Sequence, residues 1–425
     1  MINEFASNAR WTVLGDGVYA ACQWGILIVI ARLGDAEMVG RFALGLAITA
    51  PIMLFCSLAL RPVLSTDAKS EYKFGEYLAL RLLSIGAALI AIAAVSTMTG
   101  ADTVLIMLAL GLAKAVEAVS DVCYGFLQKN EQMAPIAKSN LLKGPLSLIA
   151  VAAVLYLTHS LAAAVFAMVA IWGLILVLFD MPNCAVLNSN RLGLIWASDR
   201  LCALFRLALP LGVAVMLLAL NANMPRYFIQ HYLGVRELGI FAAMAYLMVA
   251  GSAFVNSIGQ TISPRLARYW ADDDLSHFRS LLLRLAGSVS LLGASGIVAA
   301  WLAGPPVLRL LYGGEFADRS DVLVWIMVAA AVSYIASALG YGMMAARLIR
   351  IQSVQFTFVT AAGVLGCFVL VPSYGLVGAA CAMIVSHLVQ LLIATLSMWC
   401  TYRRRLRTLP LRTISSEMPT ACGAP

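Results

Sequence analysis

Apolar runs of about 20 residues recur along the whole chain with only short interruptions, and they restrict the fold more than any other feature. A run of that length, wound as a helix, matches the roughly 30 Å hydrocarbon core of a bilayer. Inside hydrocarbon every backbone N–H and C=O must find a partner within the protein, so only helices or a closed barrel can cross. Continuous rather than alternating apolar runs select helices. Composition agrees, with 62% hydrophobic and 12% charged residues over 425 positions, outside the range of a soluble domain. The expectation is an all-α polytopic membrane protein with about twelve spans. They are placed near residues 10–32, 39–61, 76–99, 103–127, 136–158 and 161–181, then 204–231, 236–261, 278–302, 321–345, 350–371 and 375–400.

Lys and Arg gather on one set of connections. Lys69, Lys73, Lys129, Lys138, Arg191, Arg200, Arg265, Arg268, Arg279, Arg347 and Arg350 follow even-numbered spans, and Arg403, Arg404, Arg405, Arg407 and Arg412 follow the last. On the opposite connections Arg32 and Arg41 flank Asp35 and Glu37, and Arg309 and Arg319 sit near Glu315 and Asp318. The positive-inside rule then predicts both termini in the cytoplasm. The opening MINEFASNAR carries neither a basic leader nor a small-residue cleavage site and is expected to lead into a retained first span. The net charge of +8 is accounted for by this topology, and no connection is long enough for a nucleic-acid-binding domain. Nine scattered cysteines show no metal-ligand spacing and read as small apolar residues.

The halves of the chain resemble one another. LGDAEMVGRFA from Leu33 matches LGVRELGIFA from Leu233, LRLLSIG from Leu80 matches LRLAGSV from Leu283, and SLAAAVFAM from Ser160 matches GLVGAACAM from Gly375. Matches in one order and direction predict two six-helix lobes related by a pseudo-two-fold along the membrane normal. The expected boundaries are residues 1–181 for the N-terminal lobe, 182–203 for a cytoplasmic inter-lobe linker, 204–402 for the C-terminal lobe and 403–425 for a basic, then polar, cytoplasmic tail. Surface-lying segments are expected around Trp196 and Trp270.

Several spans carry polar residues that lipid would exclude. Lys114, Glu117 and Asp121 fall with Tyr124 and Gln128 within roughly 80° of arc on span four, forming one stripe. Asp16, Tyr19 and Gln23 share a face of span one; Asn223, Arg226 and Gln230 share one of span seven beside Pro225; Ser252, Asn256 and Gln260 recur on span eight. Each charge at mid-membrane costs roughly 2.5–3.5 kcal/mol on insertion scales, so these faces must meet protein or water. Singly, the amides could be interhelical glue, Lys114 and Glu117 a neutralised pair, Asp16 a headgroup neighbour and Arg226 a snorkelling side chain. Together they predict a shared aqueous cavity.

The pattern Lys114, Glu117, Ser120-Asp121, Tyr124-Gly125, Gln128, Glu131, Met133, Ser139 and Lys143-Gly144 resembles the corresponding segment of bacterial polysaccharide/O-antigen flippases of the Wzx type. LPLG from Leu209, NANMPRYFIQHYLG from Asn221 and LYGGEF from Leu311 are similar to further patterns of that family, so the resemblance spans essentially the whole chain. It implies membership of the polysaccharide transporter family within the multidrug/oligosaccharidyl-lipid/polysaccharide superfamily, with a MATE-like fold of two lobes around a central cavity. It also implies a non-enzymatic activity, translocation of undecaprenyl-pyrophosphate-linked oligosaccharide to the periplasmic leaflet. Partners implied are the lipid-linked oligosaccharide, the bilayer, and a glycan polymerase and chain-length regulator of the same pathway. The expected cavity residues are Lys114, Arg226, Asn223, Gln23, Asn256, Gln260 and Tyr124. Asp16, Glu117 and Asp121 are candidates for coupling to H⁺ or Na⁺, with no cofactor or bound metal otherwise. The chain lacks the further helix pair of many relatives, and the charge of its glycan is left open. A cation-coupled drug exporter of the same superfamily is the alternative; a membrane-embedded glycan polymerase or ligase would need a larger outward loop than 303–320.

Overall fold

A computed structural model describes residues 2–67, 69–97, 100–187 and 193–408. Among them there are helices and no strands. In chain order the helices are α1 (Ile2–Leu33), α2 (Ala36–Ser57), α3 (Leu60–Thr66), α4 (Phe74–Ser96), α5 (Ala101–Lys129), α6 (Met133–Thr158) and α7 (Leu161–Ile175). A π-helical turn (Leu176–Asp180) leads into α8 (Met181–Leu187), followed by α9 (Ser198–Leu233), α10 (Val235–Ala271), α11 (Leu275–Leu311), the one-turn α12 (Gly314–Ala317), α13 (Ser320–Ala345) and α14 (Ile349–Thr408).

Eleven stretches among the described residues are long and apolar enough to cross a membrane. The last is two helices that meet at Gly375, whose φ of 59° suits a residue without Cβ. Gln355 Nε2 donates to the Gln390 carbonyl at 2.7 Å, so the arms on either side of Gly375 lie against one another and the described residues hold twelve such stretches. Large apolar side chains such as Ile90, Leu291 and Trp301 are more than 70% exposed, as a surface solvated by lipid requires.

Three features depart from the sequence-based expectation. Helices α10 and α11 each run 37 residues, about 55 Å at 1.5 Å per residue, well beyond the spans expected near 236–261 and 278–302. Span two breaks at Leu58 and Ala59, both with positive φ (53° and 47°), and restarts as α3. Trp270, expected at the surface, is buried, its ring 5.0 Å from that of Phe278. Trp196 is 57% exposed, and the backbone beside it is tied down by a hydrogen bond from Ile195 N–H to the Gly75 carbonyl.

Packing divides the chain into two compact units. The first comprises residues 1–246, 303–323 and 367–379; in it α1 packs on α6, α6 on α7, and α5 against α2, α3, α4 and α7. Its core includes Leu60, Leu64, Tyr77, Val122 and Leu204. The second comprises residues 247–302, 324–366 and 380–425, with cores around Leu266, Phe278 and Met343 and around Val255, Leu285 and Ala338.

At the basic end of the first unit the 67–73 loop is organised by one carboxylate. Asp67 accepts from the N–H groups of Glu71 (3.0 Å) and Tyr72 (3.3 Å), and Lys129 Nζ lies 3.8 Å away. Burial works to raise the Asp67 pKa, but these N–H groups, Lys129 and the Tyr77 hydroxyl outweigh it and hold the group below its ordinary 3.8. A depressed carboxylate contributes order that is present above the unfolded value and lost as pH falls through the folded one. Amide exchange at Glu71 and Tyr72 is therefore expected to be protected at pH 5–7, to lose that protection below about pH 4, and to lack it throughout in Asp67→Ala, which has no acceptor for either N–H.

Candidate functional site

The α5 stripe and the break in span two build a charged cavity. Lys114, Glu117 and Asp121 project from α5 at spacings of three and four residues, hence from one face. The break after Ser57 lets α3 turn Arg61 toward them. It can do so because Gly125 has no side chain: a Cβ there would stand 3.2 Å from the Arg61 Cα and carbonyl. Arg81, wholly buried on α4, donates Nη1 to the Ser57 carbonyl at 3.0 Å, satisfying an acceptor that the break would leave orphaned.

Asp121 sits between two guanidiniums, 3.3 Å from Arg61 Nη1 and 3.5 Å from Arg81 Nη2. Arg61 Nε also donates to Gln128 Oε1 at 3.2 Å. One turn back, Lys114 Nζ meets Glu117 Oε2 at 2.6 Å, and Tyr19 OH donates to Glu117 Oε1 at 3.1 Å. The cavity lined by Ser57, Arg61, Lys114, Glu117, Asp121 and Val215 has a volume of about 460 Å³. Its charged side chains keep about a third of their surface exposed, so they face space rather than packed protein. With Arg81 behind them, three cations stand against two carboxylates. Beyond the 3.5 Å ion-pair contact of Nη2 with Asp121, Arg81 Nε and Nη2 find no hydrogen-bond acceptor among the described residues.

The other expected site residues divide between the units. In the first, Arg226 Nη1 donates to Asn223 Oδ1 at 2.6 Å and Asn223 Nδ2 to the Ala219 carbonyl at 2.8 Å. Gln23 is half-buried and its Nε2 has no hydrogen-bond partner among the described residues, and Asp16 accepts from Asn140 Nδ2 at 2.8 Å. In the second unit Asn256 and Gln260 are exposed, and Asn256 Oδ1 accepts from Tyr341 OH at 3.3 Å.

Tyr124 turns its hydroxyl away from the cavity into a buried cluster that the stripe does not reveal. Lys143 Nζ donates there to Asp180 Oδ2 (2.7 Å), Ser120 Oγ (2.7 Å) and Tyr124 OH (2.9 Å). Lys143 and Asp180 are 4% and 1% exposed, so all three ammonium protons are used with no water needed. Asp180 closes the π-helical turn, whose extra residue changes the direction in which the next side chain leaves the helix.

At the end opposite the basic loops, the first unit is tied shut. Trp24 Nε1 donates to Tyr312 OH at 2.8 Å. Arg32 reaches the last carbonyls of α11, at Arg309 (2.8 Å) and Leu311 (3.2 Å). Glu315 binds Arg236 Nε at 2.6 Å and accepts from Ala36 N–H at 3.4 Å. Backbones touch below these pairs: a Cβ on Gly239 would lie 1.8 Å from the Ala36 carbonyl, and one on Gly40 1.9 Å from that of Val235. No group of three His, Cys, Asp or Glu among the described residues is placed to hold a metal.

Comparison with solved structures identifies this fold in other proteins. The chain shares its fold with a lipid II flippase, MurJ, in an inward closed conformation (TM-score 0.74, 11% identity, covering 93% of this chain and 90% of that one). It is also similar to an inward-facing multidrug resistance MATE transporter of the MOP superfamily (TM-score 0.65, 13% identity, covering 94% and 96%). The two-lobed fold implied by the sequence resemblance is the fold of these structures. The polysaccharide biosynthesis protein family matches residues 5–270, and the chain belongs to that family. Among curated proteins it is 29% identical over 390 residues to the capsular polysaccharide biosynthesis protein CapF of Staphylococcus aureus, covering 91% of this chain and 97% of that one.

Proposed function

We propose that this chain is a flippase that carries undecaprenyl-pyrophosphate-linked oligosaccharide from the cytoplasmic to the periplasmic leaflet by alternating access. The observation that carries this reading is the cavity where Arg61 and Lys114 stand beside Glu117 and Asp121 in otherwise apolar spans. A lipid-linked sugar can leave its tail in the bilayer. Its polar head would lose hydrogen bonds worth several kcal/mol each on crossing hydrocarbon. A polar passage removes most of that barrier.

In this reading Lys114, Arg61 and Arg226 attract the pyrophosphate, the arginines through paired hydrogen bonds. The amides of Gln23, Asn223, Asn256 and Gln260 contact sugar hydroxyls. Asp16, Glu117 and Asp121 take up H⁺ or Na⁺ as the driving ion. The lobes at 1–181 and 204–402 move against each other about the 182–203 linker, with both termini and the 403–425 tail in the cytoplasm of the inner-membrane protein. The tied end then faces the periplasm. A polymerase and a chain-length regulator act on the delivered units. The family match and the names of CapF and the lipid II flippase support the reading.

Lys114→Ala, Arg61→Ala and Asp121→Asn are each expected to lower polysaccharide export by roughly ten- to a hundredfold, the worth of one lost charge-assisted hydrogen bond. The measurement is surface glycan in a deletion strain complemented at equal protein level. Unchanged export in all three would remove the cavity from the mechanism. The MATE likeness favours a second reading, cation-coupled export of small molecules; drug resistance on overexpression, with normal surface glycan in the deletion strain, would select it.

A further inference from the structure

In the second unit, a hollow of about 400 Å³ lies between the start of α11 and the end of α14. Its floor is apolar: Phe278, Leu282 and Met398 are each less than 10% exposed. Its rim carries Arg279, Arg403, Trp399 and Tyr402. The Arg403 guanidinium stacks 3.9 Å above the Trp399 ring, and Tyr402 OH donates to the Leu275 carbonyl at 3.4 Å. Among the described residues no carboxylate lines the hollow. Of the nearby acids, Asp273 is engaged by Arg405 (2.6 Å) and Asp274 by His277 (2.6 Å), while Asp272 is exposed and does not line the hollow. Two exposed guanidiniums therefore stand over an apolar slot, at the helix ends where the chain concentrates Arg403, Arg404, Arg405 and Arg407.

We propose that this hollow is a binding site for an anionic phospholipid, with one acyl chain on Phe278, Leu282 and Met398 and the phosphate between Arg279 and Arg403. Charge and shape select the occupant. An apolar floor takes hydrocarbon, and arginine forks take a phosphate through paired hydrogen bonds. Trp and Tyr at the rim belong at headgroup depth, where basic clusters meet anionic lipid. A zwitterionic headgroup would bring a positive choline or amine against two arginines. The site is made of residues other than those given to the cargo, so it stands or falls separately from the flippase reading.

The test uses the purified full chain in detergent, titrated with phosphatidylglycerol or with phosphatidylcholine of the same acyl chains and read by native mass spectrometry. Phosphatidylglycerol is expected to bind the wild type preferentially. Arg279→Gln and Arg403→Gln should each weaken it roughly fivefold, the effect of one surface arginine on anionic lipid. The double Lys variant, which keeps both charges, should retain most of the preference. Because both arginines are exposed, melting temperature should be unchanged, which separates lost binding from lost fold. Equal binding of the two lipids, or wild-type binding by the double Gln variant, overturns the proposal. So does displacement of phosphatidylglycerol by an equimolar polyprenyl phosphate, which would make the hollow part of the cargo path.

Discussion

Lys143→Met and Asp180→Leu are each expected to destabilise the purified protein by about 3–5 kcal/mol, the cost of leaving one member of a buried ion pair without its partner. Lys143 uses all three of its protons on Asp180, Ser120 and Tyr124, and both charged groups are nearly sealed from solvent. Removing either therefore strands the other where water cannot compensate. Removing both is different: Lys143→Met with Asp180→Leu exchanges two desolvated charges for apolar volume, and most of the lost stability should return. Tyr124 keeps its 2.7 Å bond to Ser139 in that background. Thermal unfolding of the three variants closes a double-mutant cycle. Single losses under about 1 kcal/mol would equate the pair with an exposed one and contradict this assignment.

Gly239→Val is the second large effect, and it acts on conformation. The α2 and α10 backbones approach so closely that a Cβ would overlap the Ala36 carbonyl, and backbone has little room to give. Small residues permit such approaches between membrane helices. A valine must push the Ala36–Gly40 and Val235–Gly239 segments apart, at roughly 1–3 kcal/mol for overpacking. With it go the contacts of Glu315 to Ala36 and Arg236 and the grip of Arg32 on the end of α11. Hydrogen exchange at residues 36–40 and 235–239 is expected to rise by about one to two orders of magnitude, and export to fall at unchanged expression. Wild-type exchange together with wild-type export would show that this end is not held by backbone proximity.

The span pattern was legible because lipid imposes one rule on every apolar run, and the α5 stripe was legible because helical geometry alone aligns residues three and four apart. What escaped are features decided by tertiary contacts. The break at Leu58 and Ala59 has neither glycine nor proline at the two positive-φ positions, so nothing local announces it. It holds because Arg81 takes the freed Ser57 carbonyl and α3 packs on Gly125. Arg81 itself was visible as a charge within an apolar run, in LALRLLSIG, and its isolation was the available signal. Asp180, close to the expected end of span six, reads as an interfacial residue. Only the π-helical turn, which sequence periodicity does not show, brings it to Lys143. Tyr124 was aligned with the stripe correctly as a matter of angle, yet its hydroxyl reaches across to α6, a direction that one helix examined alone does not define.

In the proposed function, the cavity built by α2, α3 and α5 carries a lipid-linked oligosaccharide across the membrane. The most direct measurement is the leaflet distribution of undecaprenyl-pyrophosphate-linked oligosaccharide in proteoliposomes, read as the fraction accessible to an external glycosidase. Wild-type protein should carry the lipid-linked sugar between leaflets, while Lys114→Ala and Arg61→Ala, folded and inserted equally well, should leave it where it was loaded. Equal distribution curves for liposomes with the wild type, with either variant and without protein would contradict the account.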